Sequence, residues 1–307
     1  MIIIGKYKIE KCINKNGLVD IYLSRKNKSN ILYSTIGIDI EKLNNNIIIK
    51  HITKKINLIK SINHKNILKF ENLFSTQNRL YILTEYSNGN SLIENIIKYK
   101  NKYSIPFLEK ISQYIIKQLF DIFNYLNERQ NFDFDFSVGN LILNFWTDEA
   151  KEAKDNLDIL NSDLKFDFFG KIKEIKDESL LNKLNNDNYK LNYFYILDIF
   201  SICYILLTGD LSFKINYELD LKQFEIKIPI NLSLDSIILL VYLFQCYIDK
   251  KINVKELLNQ PFLNKYYADF TDLDIKSVSE YIKDEYLVIN ISNNNEIYPI
   301  ITKQNIK

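Results

Sequence analysis

Apolar residues recur at two different spacings along this chain, and the change of spacing divides it. Between residues 7 and 87, short runs rich in β-branched and aromatic side chains predict strands at Tyr7–Cys12, Asp20–Ser24, Ile31–Ile40 and Leu80–Glu85. One stretch breaks that pattern. Ile52, Ile56, Ile59 and Ile62 repeat at helical steps, which predicts a helix over 48–62 that ends at Asn63-His64-Lys65-Asn66. From 88 to 265 the helical period dominates. Ile111, Ile115, Leu119, Ile122 and Leu126 share one face of a helix expected over Phe107–Arg129. Tyr193–Leu207 and Leu232–Tyr247 are almost wholly apolar and predict buried helices. Leu257-Leu258-Asn259-Gln260-Pro261 predicts a helix stopped by proline.

Two further segments stand outside this scheme. Asp148–Asp163 is polar and acidic and predicts a surface loop insertion. In 266–307, a helix is expected near Leu273–Ile282. Alternating runs at Tyr286–Ile291 and Ile297–Ile301 then flank Ser292-Asn293-Asn294-Asn295, which predicts a β-hairpin. The expected organisation is a small β-rich lobe over 1–87, a larger helical lobe over 88–265, and a C-terminal extension over 266–307.

Composition narrows the function classes. Of 307 residues, 47% are hydrophobic, enough for a sizeable core, and 40 Lys+Arg against 38 Asp+Glu leave a net charge of +2. That balance argues against nucleic acid or a membrane surface as partner. Cys12, Cys203 and Cys246 are far apart and odd in number, and only His51 and His64 accompany them. This favours reduced thiols over disulfides and argues against a His/Cys metal site. The apolar runs fall short of the ~20 residues that span a bilayer, and Met1–Lys6 is too short for a signal peptide. A cytoplasmic protein is expected.

Motifs then add a family resemblance. Leu58–Leu68, containing His64-Lys65-Asn66-Ile67, resembles the end of the protein kinase C-helix and its His-Pro-Asn-Ile turn. Glu256–Leu263 resembles the last helix of that family, which often ends Leu-Leu-x-His-Pro-Phe. Between them, Leu80–Leu92 resembles its strand, gatekeeper and hinge. Over roughly residues 7–265 the chain resembles a eukaryotic protein kinase, which implies an α+β two-lobed kinase-like fold. A fainter similarity to autophagy-kinase-like pseudokinases lies in Leu164-Lys165-Phe166.

The resemblance also shows where the catalytic residues should be. Phosphoryl transfer needs a glycine cradle, a lysine held by a helix glutamate, an aspartate and an asparagine for metal, and a base for the hydroxyl. The three glycine positions carry Asn14, Asn16 and Val19. Ile36 stands at the strand lysine, and Lys55 at the helix glutamate. The catalytic loop matches Asp133–Asn140, with Asp135 at the base, Ser137 at the lysine and Asn140 at the metal-binding asparagine. The metal aspartate falls on Phe168, and a shift of one residue would make it Asp167. If 164–168 continued as a strand, Asp167 would point away from the side that Phe168 faces. Asp198, at the start of the central helix, competes with Tyr195 for that family position.

The resemblance therefore implies a catalytically inactive pseudokinase that acts as a scaffold or allosteric module for protein partners, through kinase-like surfaces or the 266–307 segment. No cofactor is expected, or else ATP without magnesium, held by hinge residues Glu85, Tyr86 and Ser87. The alternative is a divergent active Ser/Thr-type kinase, with Asp135 as base, Asn140 and Asp167 for metal, and Lys15 or Lys55 on the phosphates.

Overall fold

The computed structural model describes residues 2–15, 18–41, 52–53, 56–104, 106–129, 138–145, 159–170, 194–211, 213, 226–229, 231–265, 285–291 and 297–303. The expected helix near 273–282 and residues 146–158 of the expected loop lie outside them. Two compact units emerge, one from residues 1–92, 121–152 and 161–190, the other from 93–120, 153–160 and 191–307.

The first unit is built on six antiparallel strands: β1 (Ile3–Ile4), β2 (Tyr7–Lys15), β3 (Val19–Lys26), β4 (Leu32–Asp39), β5 (Phe70–Ser75) and β6 (Arg79–Glu85), in the order β1-β2-β3-β4-β6-β5. Strand alternation gives β4 two buried faces. Tyr33 joins a core of Ile4, Tyr7, Tyr22, Tyr81 and Leu83, with Phe74 packed against it. Ser34, Ile36 and Ile38 point the other way. Register shifts in β2 between Ile9 and Lys11 and between Cys12 and Asn14 are bulges, which sharpen twist. The sheet curls until side chains of β2 and β3 reach the edge strand β5. The Tyr7 hydroxyl donates to Glu71 Oε1 at 2.6 Å, and Lys26 Nζ to the same oxygen at 3.2 Å. Gly5, at φ +56°, lies where a Cβ would come within 2.6 Å of the Phe74 ring.

Residues 52–53 and 56–59 are helical, and Ile52, Ile56, Ile59 and Ile62 are all buried, as the spacing predicts. After them come α1 (Leu92–Tyr103) and α2 (Glu109–Asn127), then a hairpin of β7 (Leu141–Phe145) and β8 (Ser162–Phe166). The expected polar loop therefore ends earlier than Asp163. Ile159 is buried, and Ser162, Leu164 and Phe166 alternate inward while Asp163 and Lys165 carry the charge.

The second unit centres on α3 (Phe194–Thr208) and α4 (Leu234–Ile248), the two apolar helices, with the rings of Phe200 and Phe244 5.6 Å apart. Ser233 caps α4 by accepting the Ser236 N–H. α5 (Val254–Leu258) ends before Pro261, and Pro261 also opens α6 (Pro261–Asn264), where a missing N–H costs nothing. β9 (Ile226–Pro229) buries Ile226 and Ile228 and is held by the Tyr204 hydroxyl donating to the Lys227 carbonyl at 2.6 Å. β10 (Glu285–Ile291) and β11 (Ile297–Lys303) form a hairpin, and β10 pairs with β9 in the order β11-β10-β9. Pro299 lies opposite Ile289. Proline has no N–H to give a ladder, and an edge strand such as β11 is where a sheet tolerates it.

Candidate functional site

Asn140 closes a 3₁₀ turn over Val138–Asn140 and leads directly into β7. β8 pairs antiparallel with β7, Leu141 opposite Phe166 and Leu143 opposite Leu164. Just past the end of the ladder, the Asp167 N–H donates to the Asn140 carbonyl at 2.8 Å. The chain then leaves the strand. Asp167 Oδ1 accepts the Phe169 N–H at 2.9 Å, an aspartate turn, and the Gly170 N–H donates to the Asp167 carbonyl at 3.1 Å. The β7–β8 ladder thus stops at Phe166, and a turn rather than a continuing strand orients Asp167. Asp167 lies beside Asn140, whereas the Phe168 ring packs edge-on against Phe166 at 4.8 Å. Asn140 and Asp167 are 4% and 2% exposed. A Cβ on Gly170 would collide with Asn140 Oδ1, so the turn closes only with glycine there.

The hinge begins where β6 ends. Glu85 Oε1 forms an ion pair with Lys165 Nζ at 2.9 Å, and Oε2 accepts the Lys69 N–H at 3.2 Å. Its carboxylate is occupied, and its own N–H donates to the Lys69 carbonyl at 2.8 Å. The following residues are laced to β7. Asn88 Nδ2 donates to the Phe145 carbonyl, the Phe145 N–H returns to Asn88 Oδ1, both at 3.0 Å, and the Leu143 N–H donates to the Asn90 carbonyl at 3.1 Å. Gly89 passes so close to the Leu143 carbonyl that a Cβ would overlap it. Tyr86 and Ser87, between these anchors, are partly buried.

The turn after the helical segment is tied to β8 as well. Asn66 Nδ2 donates to the Leu164 carbonyl at 2.8 Å, and the Phe166 N–H donates to the Asn66 carbonyl at 2.8 Å. His64 Nδ1 accepts the Asn66 N–H at 3.1 Å, and its ring lies 4.7 Å from that of Tyr125. Burial pushes the His64 imidazole below its ordinary range, aided by the nearby cations Lys65, Arg129 and Lys165 and opposed by Asp121.

On the sheet, Ile36 pairs with Ile21 on one side and Ile82 on the other and is 0% exposed. Val19 is also buried, and Lys15 is exposed. Asp135 and Lys55 lie outside the described residues. The described set therefore joins Asn140 to Asp167 and hinge to β7. Two residues escaped the sequence reading of the site: Lys165, and Thr84 opposite Ser34. The alternation of Lys165 with Leu164 and Phe166 was the available signal. Among the described residues, no group of three or more His, Cys, Asp or Glu side chains is placed to hold a metal ion.

No protein-family model matches the chain. It is 21% identical over 97% of its length to CBL-interacting serine/threonine-protein kinase 19 of Arabidopsis thaliana, and 24% identical over 93% to CBL-interacting serine/threonine-protein kinase 18 of that plant. It is 21% identical over 87% of its length to the Aurora kinase of Schizosaccharomyces pombe, of which it covers 74%. The fold is kinase-like. It has the curled antiparallel sheet followed by a mainly helical region of a two-lobed α+β kinase, and this weak homology supports the kinase superfamily. The chain covers 60% and 53% of the two plant relatives. Among the described residues, no helix is long and apolar enough to cross a membrane.

Proposed function

We propose that this kinase-like domain is a pseudokinase that acts by binding protein partners in the cytoplasm rather than by transferring phosphate. The observation that carries this reading is Ile36, fully buried between Ile21 and Ile82 at the position where the family resemblance expects the phosphate-anchoring lysine. An isoleucine cannot neutralise phosphate charge, and losing one transition-state contact of this kind typically costs ~3 kcal/mol, a hundredfold or more in rate. Val19 in place of a glycine adds bulk to the cradle.

A specific geometry favours a second reading, a divergent active kinase. Asn140 and Asp167 stand at adjoining positions, as two oxygen ligands of a metal would, with Asp135 as base. Metal-independent ATP binding lies between the two. The test is phosphate transfer from radiolabelled ATP with magnesium, to the chain itself and to generic Ser/Thr substrates, beside Asp135→Asn and Asp167→Asn. The proposed reading expects all three proteins to give the same background. Transfer by the native chain that both substitutions abolish overturns it.

A further inference from the structure

Asn88-Gly89 and Asn16-Gly17 are the two Asn-Gly pairs of the chain. This dipeptide is chemically labile. With no Cβ on the glycine to obstruct it, the glycine nitrogen can attack the side-chain amide carbon of the asparagine before it. At Asn88 the fold restrains that amide. Its Nδ2 donates to the Phe145 carbonyl and its Oδ1 accepts the Phe145 N–H, both at 3.0 Å, while the Asn88 N–H donates to Asn144 Oδ1 at 3.3 Å. Gly89 is pressed against the Leu143 carbonyl, and the Asn90 carbonyl accepts the Leu143 N–H at 3.1 Å. The Asn88 amide is thus fastened to β7 through both of its polar atoms, and it cannot turn towards the Gly89 nitrogen without losing both bonds.

We propose that Asn88 is a site of spontaneous deamidation that the lacing to β7 holds shut, and that its conversion undoes the lacing irreversibly. The Gly89 nitrogen bonds to Asn88 Cγ, the Cγ–Nδ2 bond breaks, and the nitrogen's proton leaves with Nδ2 as ammonia. Water then opens the succinimide ring at one carbonyl to give aspartate or at the other to give isoaspartate. Neither product restores the contacts. An ionised aspartate only accepts, so it cannot donate to the Phe145 carbonyl and sets a charged oxygen against it. Isoaspartate adds a methylene to the main chain beside Gly89, where not even a Cβ fits against Leu143. The reaction requires the segment to leave β7, so its rate follows the population of that opened state.

Peptide mapping by mass spectrometry, on the whole chain aged in neutral buffer with and without guanidinium chloride, tests it. In denaturant both Asn-Gly pairs should convert. In native buffer Asn88 should convert at least tenfold more slowly than in denaturant. Asn144→Ala removes one of the three hydrogen bonds and none of the reacting groups, so it should speed the native conversion at least threefold and leave the denatured rate unchanged. Asn88→Asp, one of the two products, should melt below the native chain. Failure of Asn88 to convert in denaturant, a native rate within tenfold of the denatured one, a smaller response to Asn144→Ala, or an Asn88→Asp chain that melts no lower overturns the proposal. None of these outcomes depends on whether the chain transfers phosphate.

Discussion

Lys165 Nζ lies 2.9 Å from Glu85 Oε1, so an ion pair spanning 80 residues of sequence fastens β8 to the end of β6. The partners are unequally placed: the lysine side chain is 10% exposed and the glutamate 36%. Removing the glutamate strands a buried cation, while removing the lysine leaves a carboxylate that water can reach. Glu85→Gln is expected to cost about 2–3 kcal/mol and Lys165→Met about 1 kcal/mol or less, measured by urea unfolding. Equal costs would show that the pair is solvated like a surface bridge.

Gly89 offers a backbone test of the hinge anchor. Any Cβ there overlaps the Leu143 carbonyl, and backbone must shift to admit it. Gly89→Ala is expected to cost about 3 kcal/mol. Gly37→Ala, whose Cβ would meet only the Tyr22 and Tyr81 rings at 3.0 and 3.2 Å, should cost about 1 kcal/mol. The order of the two, read from denaturation midpoints, is the critical result.

The buried carboxylate of Asp20 depends on one cation. Arg79 Nη1 donates to Asp20 Oδ2 at 2.8 Å and to the Tyr22 hydroxyl at 3.0 Å, and that hydroxyl donates to the same carboxylate oxygen at 2.9 Å. Burial, with the hydrogen bond to Asp20, pushes Tyr22 up to about 12. Arg79→Met leaves the charge buried without its cation and is expected to destabilise the sheet by about 3 kcal/mol. Asp20→Asn in that background should recover part of the loss, which a double-mutant cycle would quantify.

Stability should fall with acid through His64. Its folded imidazole titrates below the ordinary value of about 6.5, so in the interval between the two values the unfolded chain takes a proton that the folded chain refuses. The contribution is fully present above the unfolded value and is lost as pH falls from there to the folded value. Protonation would also cost Nδ1 its hydrogen bond from Asn66. His64 and His51 are the only histidines, so an NMR titration resolves the folded value directly. A midpoint at or above the ordinary value would contradict this account.

Much of the fold was legible in advance because it rests on local spacing. Ile52, Ile56, Ile59 and Ile62 share a buried face, and so do Ile111, Ile115, Leu119, Ile122 and Leu126, since helical period is a property of neighbouring residues. Strands with strong β-branched or aromatic runs were readable too. β9, only Ile226–Pro229, was not, because it is a strand through pairing with Tyr286–Ile289, nearly sixty residues later. The limits of the loop before β8 were hidden for a related reason. Ser162 and Asp163 read as polar loop until β7 supplies the ladder that makes them strand.

At the candidate site the division is sharper. The sequence alone determined that Ile36, Asp135, Asn140 and Asp167 are the residue types at the positions that the kinase resemblance singles out. No tertiary contact alters a residue type. Whether Asp167 or Phe168 adjoins Asn140 was decided only in three dimensions, by where the β7–β8 ladder ends and the aspartate turn begins. Lys165 could be read as a strand residue, but its partner 80 positions away could not. Likewise the two hydroxyls of Ser34 and Thr84 become one polar spot only through strand register, which hydrogen bonding between distant segments sets.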